Sequence, residues 1–151
     1  RSSDLQLLMF YDKRNHAIGC VHSGWRGTAQ AIGEKTIALM KKEYGTNPED
    51  LVCAIGPSIC PDCFETDRDV YDLLMARFGK EAERFCQVRG DKFHWDTKGL
   101  NFWRLTQAGV PPEQVAVSEE CTCCGEEKLW WSHRRQGTHR GVHAGLIALE
   151  R

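Results

Sequence analysis

No run of apolar residues in this chain approaches the roughly 18 to 20 that a membrane-crossing helix requires. The opening Arg1-Ser2-Ser3-Asp4 also lacks the apolar core of a secretory signal. A soluble, intracellular protein with no membrane partner is therefore expected. An excess of either charge is missing too: 20 basic and 21 acidic residues leave a net charge of -1, without the basic footprint of a nucleic-acid surface. Neither a dinucleotide nor a Walker glycine signature occurs, because Gly24-x-x-Gly27 is too short for either. Repeats, linkers and low-complexity segments are absent as well. The chain has no initiating methionine and passes directly into the apolar run Leu5-Gln6-Leu7-Leu8-Met9-Phe10-Tyr11, so residues ahead of Arg1 are expected in the natural protein.

What is present is an ordinary globular composition, 41% hydrophobic and 27% charged over 151 residues. A chain of that length buries about two-thirds of its unfolded surface in one domain. Its eight cysteines are clustered, with Cys60 and Cys63 in one loop and Cys121, Cys123 and Cys124 in another. Without a secretory signal, metal binding or free thiols are expected rather than a disulfide framework. Cys60-Pro-Asp-Cys63 has the gap by which two thiolates bind one zinc, and Cys121-Thr-Cys-Cys124 offers a second pair, so a four-cysteine structural site is one reading. Chance pairing in a cysteine-rich chain is the other. A redox role for Cys60 and Cys63 is disfavoured, because the next helix starts too far downstream to lower a thiol pKa.

Periodicity predicts strands over 5–11 and 16–22, joined by the polar turn Asp12-Lys13-Arg14-Asn15. A core-facing helix over 28–44 follows, carrying Ala29, Ile32, Thr36, Leu39, Met40 and Tyr44 and stopped by Gly45. Leu51 to Ile55 reads as a strand that enters a proline-rich loop. Thr66 is expected to cap a second helix with Val70, Leu73, Leu74 and Phe78 inward and Gly79 at its end. Asp96 is expected to cap a third through Leu100, Trp103, Leu105 and Ala108. Val115-Ala116-Val117 and the segments 128–134 and 142–149 read as further strands. The alternation of strands and helices argues for an α/β fold, a mixed sheet covered by helices in a single domain.

Two segments carry chemistry. In Val21-His22-Ser23-Gly24-Trp25-Arg26-Gly27 a histidine leaves a strand and an arginine stands two residues after a glycine, placing a potential metal ligand and an anion-binding group on one turn. A helix opening at Thr28 would aim its free N–H groups at the same place. The plainer reading is a structural histidine beside a surface arginine. In the tail, Trp130-Trp131-Ser132-His133-Arg134-Arg135 through Arg140 sets arginines and histidines beside tryptophans, as a phosphate clamp with a base-stacking ring would require. There the plainer reading is a solvated basic hairpin.

The first of these segments, Ile55-Gly56-Pro57-Ser58-Ile59 with Cys63-Phe64-Glu65, then Cys121-Thr122 and Trp131-Ser132-His133-Arg134, occur in the order found in the laccase-domain family once described as multicopper polyphenol oxidases. The chain resembles that family from about Asp4 to Leu149. The resemblance implies an α/β sandwich and purine nucleoside phosphorylase activity, the cleavage of adenosine, inosine or methylthioadenosine by phosphate. Adenosine deamination is also assigned to the family, and polyphenol oxidation with copper is the older assignment. It implies a metal cofactor, zinc with copper as the alternative, held by two histidines and a cysteine. His22 matches the last of these ligands. The cysteine position falls on Leu5, after Asp4, while Gln6 and Leu7 stand where the family has an apolar residue and a proline. The first histidine lies upstream in the family and has no match here. The metal site is therefore expected to be incomplete, unless Cys20 or a residue of another chain substitutes.

By the same resemblance, Arg26 and Arg134 are the expected catalytic residues, orienting phosphate, while Trp25, His133 and Arg140 bind substrate. The partners implied are a purine nucleoside and phosphate, with a homo-oligomer left open. Residues 1–151 would form the C-terminal portion of the family's full length. Two other readings stay open: an inactive, truncated member that keeps the fold, and a zinc-stabilised binding module.

Overall fold

A computed structural model describes residues 4–126 and 129–150. The first two strands lie close to where alternation places them, β1 at Gln6–Asp12 and β2 at Ala17–Ser23, antiparallel with Leu7 opposite His22. The turn between them is organised by the buried carboxylate of Asp12, which accepts hydrogen bonds from Arg14 N at 2.9 Å, Asn15 N at 3.0 Å and Asn15 Nδ2 at 2.9 Å. Burial alone would raise its pKa, but the donors around it outweigh that and hold it at about 2.

The expected single helix over 28–44 is two helices. α1 spans Trp25–Ala29 and α2 spans Ile32–Tyr44, with Ala31 in the left-handed conformation between them. A cluster of distant partners sets the break: Thr28 Oγ1 lies 3.0 Å from Ser23 Oγ and accepts from Asn101 Nδ2 at 3.0 Å. In α2 the buried side is Gly33, Thr36, Ile37 and Met40, whereas Leu39 and Tyr44, expected inward, are 57% and 55% exposed. Gly33 is the point of closest approach, since a Cβ there would meet Leu105 Cδ2 at 3.1 Å and Leu8 Cδ1 at 3.3 Å.

β3 (Leu51–Ile55) pairs antiparallel with β1, and β7 (Val115–Val117) pairs parallel with β3, giving a mixed sheet of order β2-β1-β3-β7. Thr66 does not cap α3 (Arg68–Phe78): it belongs to β4 (Glu65–Thr66), and its Oγ1 donates to Phe93 O at 2.9 Å, leaving Asp67 at the cap position. Val70 and Leu74 face inward, whereas Leu73 is 44% exposed. β5 (Cys86–Arg89) and β6 (Lys92–Trp95) form a hairpin that joins β4 in a second, antiparallel sheet. In α4 (Thr97–Gln107) the Asp96 side chain caps as expected, accepting from Gly99 N at 2.8 Å.

Two apolar cores meet across α4. Leu105 packs with Leu8, Phe10, Ile37, Met40 and Ile55, while Leu100 and Trp103 pack with Ile59, Phe64, Leu74, Phe93 and Trp95. The expected mixed α/β single domain is thus the observed one.

The tail departs from expectation. Residue 128 lies outside the described residues, and the rest of the expected strand over 128–134 ends in a one-turn helix, α5 (His133–Gln136). Ser132 closes a reciprocal cap there: its Oγ accepts from Arg135 N at 3.1 Å, and its N–H donates to Gln136 Oε1 at 3.0 Å. Residues 144–150 form neither helix nor strand. Gly145 lies so close over Leu7 and Met9 that a Cβ would collide with both side chains. Apart from a single bridge at His143, the pairing that alternation suggested over 142–149 does not form.

Candidate active site

A cleft of about 640 Å³ opens where the start of β1, the end of β2, α1, the loop after β3 and the tail converge. Asp4, Leu5, His22 and Trp25 form one side, Ile59 and Phe64 the floor, and His133, Arg134, Arg140 and Val142 the other side. A smaller hollow of about 240 Å³ adjoins it, sharing Leu5, His22 and Trp25 and adding Gly24, Arg26 and Gly27. The large cleft thus gathers every sequence-predicted site residue except Arg26. That guanidinium stacks on the Trp25 ring, 4.1 Å from its centroid, and borders the smaller hollow together with His22.

Local packing explains the glycines of this turn. A Cβ on Gly24 would lie 2.6 Å from Leu5 Cδ1 and 3.4 Å from His22 Nε2, so a larger residue there would have to displace the tip of the Leu5 side chain that lies over the turn. α1 begins at Trp25 rather than Thr28 and is five residues long. That is too short for the expected anion-attracting N-terminus. Partial burial lowers the His22 pKa from its ordinary value, so the ring is neutral at pH 7 with a lone pair available.

Asp4 is the structural knot of the cleft. It is 8% exposed, and Oδ2 accepts from Arg134 N at 2.8 Å while Oδ1 accepts from Thr122 Oγ1 at 3.2 Å. Its backbone carbonyl accepts from Ile59 N at 2.7 Å. One residue therefore joins three walls. Arg134 is steadied further by donating through Nη2 to Glu65 O at 2.7 Å, and His133 Nδ1 lies 3.1 Å from Gly137 O. Among the described residues, buried Arg140 Nε and both ring nitrogens of His143 have no hydrogen-bond partner. The His143 ring meets Trp130 edge-on at 5.3 Å, and burial lowers its pKa. Sequence reasoning missed the tying role of Asp4 and missed His143 altogether, because both depend on contacts between the chain's start and its tail.

Around His22 the described residues do not gather the metal ligands that the resemblance implies. Leu5 supplies only hydrocarbon, and the Asp4 carboxylate is already engaged on both oxygens. Cys20 points from the same face of β2 but is opposite Met9 and is not gathered with His22. Among the described residues, the one group of three or more potential ligand atoms lying close together is elsewhere, at Cys60, Cys63, Cys121 and Cys124.

Residues 2–150 match the family model described as multi-copper polyphenol oxidoreductase laccase. The chain is 32% identical to the purine nucleoside phosphorylase YlmD of Bacillus subtilis over 148 residues, covering 98% of this chain and 53% of that protein. It is 34% identical to a purine nucleoside phosphorylase of Bacteroides thetaiotaomicron, covering 97% of this chain and 54% of that one. Among solved structures, YlmD from Geobacillus stearothermophilus superposes with a TM-score of 0.82 at 35% identity, over 88% of this chain and 49% of that one. The chain spans about half the length of these relatives. Sequence match, fold and the order of the site motifs agree, and the chain belongs to the laccase-domain family of multi-copper polyphenol oxidoreductases.

Proposed function

We propose that the cleft binds a purine nucleoside and phosphate and serves phosphorolysis, as the C-terminal portion of a longer family member. The observation that carries this reading is the pairing of two arginines and a histidine on one wall with Trp25 and Phe64 on the others. Arginine clamps a phosphate through parallel N–H bonds, and an aromatic face accepts a purine. In the reaction a phosphate oxygen forms a bond to C1′ as the glycosidic C1′–N9 bond breaks. The electron pair leaves with the purine, which takes a proton, and ribose 1-phosphate is the other product. Arg134 would screen the phosphate and the developing charge, with Arg26 assisting from the adjoining hollow, a role typically worth a few kcal/mol of barrier. His133 and Arg140 would orient the nucleoside, and Trp25 would stack on it.

Hydrolytic deamination of adenosine calls on a metal-bound water. Because His22 stands without a matching cysteine, phosphorolysis is the activity these residues favour. Release of hypoxanthine from inosine, followed by chromatography with and without phosphate, tests the reading. Phosphate-dependent release that disappears in Arg134→Ala supports it. Deamination of adenosine with no phosphorolysis would overturn the division.

A further inference from the structure

We propose that Cys60, Cys63, Cys121 and Cys124 hold one structural zinc ion, a site separate from the cleft and independent of the activity proposed above. The four sulfurs lie within 4.8 Å of one another. In a tetrahedral zinc tetrathiolate, bonds of about 2.3 Å place the sulfurs roughly 3.8 Å apart. Cys60 Sγ and Cys124 Sγ are 3.8 Å apart. A disulfide would need sulfurs about 2 Å apart, and all eight cysteines are free.

The backbone is shaped for metal-bound sulfur. Cys60 N donates to Cys121 Sγ at 3.2 Å, and Cys123 N and Cys124 N reach the same sulfur at 3.4 Å each. These are outer-shell bonds of the kind that orient a thiolate ligand. Each pair also sits on a tight turn, with Phe64 N donating to Cys60 O at 2.9 Å and Gly125 N to Cys121 O at 2.9 Å. Four thiolates with no oxygen donor select a soft divalent ion such as zinc over magnesium or calcium. With all four positions filled by protein, the ion would be structural and not catalytic. Binding releases the thiol protons to solvent.

The site would act as a clip. Backbone bonds already bring the loop after β3 to the loop after β7, with Ser118 N donating to Ile55 O at 2.9 Å and Thr122 N to Ser58 O at 3.3 Å, and the ion would lock the same contact through side chains. The first loop carries Ile59 and Phe64 of the cleft floor. The second reaches α5 through Arg135, which donates to Cys123 O and Trp130 O at 2.6 Å each. Clamping the two loops therefore fixes the floor of the cleft relative to the wall that bears Arg134.

The test is metal analysis of the chain purified under reducing conditions without chelator. Plasma mass spectrometry should find about one zinc per chain, retained in His22→Ala and lost in Cys60→Ser and Cys124→Ser. Should those variants fail to fold, the wild-type chain stripped with a chelator and titrated with zinc chloride should rise in melting temperature and lose four reactive thiols to a thiol reagent. Cobalt(II) in place of zinc should show thiolate-to-metal charge-transfer absorption. Iron or copper in place of zinc, loss of the zinc with His22→Ala, or zinc addition that neither masks thiols nor raises the melting temperature would overturn the proposal.

Discussion

Replacing Asp4 by alanine removes the carboxylate that ties the cleft together, and its cost can be worked from the bonds it makes. The hydrogen bond from Arg134 N at 2.8 Å is charge-assisted, a class worth about 1.5 to 3 kcal/mol. The Thr122 hydroxyl, fully buried, loses its acceptor at the same time. Together these put the loss of global stability at about 3 kcal/mol, a large share of the roughly 5 to 15 kcal/mol that holds a domain folded. For a chain of this size the melting temperature should fall by roughly 6 to 12 °C. Urea unfolding followed by the fluorescence of the five tryptophans measures this directly. Asp4→Asn, which keeps an acceptor for Thr122 but turns an amide toward Arg134 N, should lie between. Phosphate affinity should weaken in parallel, because α5 loses its anchor. A loss below about 0.5 kcal/mol, the scatter of ordinary surface substitutions, would refute the tying role.

Three further outcomes follow from other contacts. Arg134→Met should raise the phosphate KM by roughly tenfold or more, the value of one charge-assisted bond, whereas Arg26→Met should have a smaller effect because its guanidinium is engaged on Trp25; steady-state inosine phosphorolysis compares them. Asp12 is held at about 2 against an ordinary value of 3.8, so its contribution is present above the unfolded pKa and is lost as pH falls from about 4 to about 2. The shift corresponds to about 2 kcal/mol, and acid unfolding followed by circular dichroism should show a shallower loss over that range in Asp12→Asn. Gly125→Ala would drive a Cβ into the Cys121 carbonyl, opening the turn at about 1 to 3 kcal/mol and lowering zinc content in the same preparation.

Strands β1, β2, β3 and β7 and helix α4 were legible because their apolar spacing and caps are local. The β5–β6 hairpin was not: Gln87, Val88 and Arg89 are all exposed, so alternation carried little contrast, although Gly90 at φ 65 marks its turn. The tail misled for the opposite reason. Its alternating apolar and polar residues mimic a strand, yet Ser132 caps a helical turn, and beyond a bridge at His143 the last described residues form no strand, with Gly145 lying against Leu7 and Met9. Of the residues proposed for the site, His22, Trp25, His133, Arg134 and Arg140 line one cleft, but Arg26 lies in the neighbouring hollow, where α1 begins three residues earlier than periodicity indicates.

By itself the sequence determined the strand-to-helix turn at His22-Ser23-Gly24-Trp25, the two cysteine pairs and the family. Only the tertiary structure decided that the two cysteine pairs face each other. β3 and β7 are parallel neighbours, with Ile55 opposite Val117, so the loops that follow them leave the sheet at the same end and bring Cys60 to Cys121. The same convergence sets Asp4 against Arg134, residues at opposite ends of the chain. Sheet order and register decide such encounters, and they arise from the burial of all the elements together, which no local spacing of residues encodes.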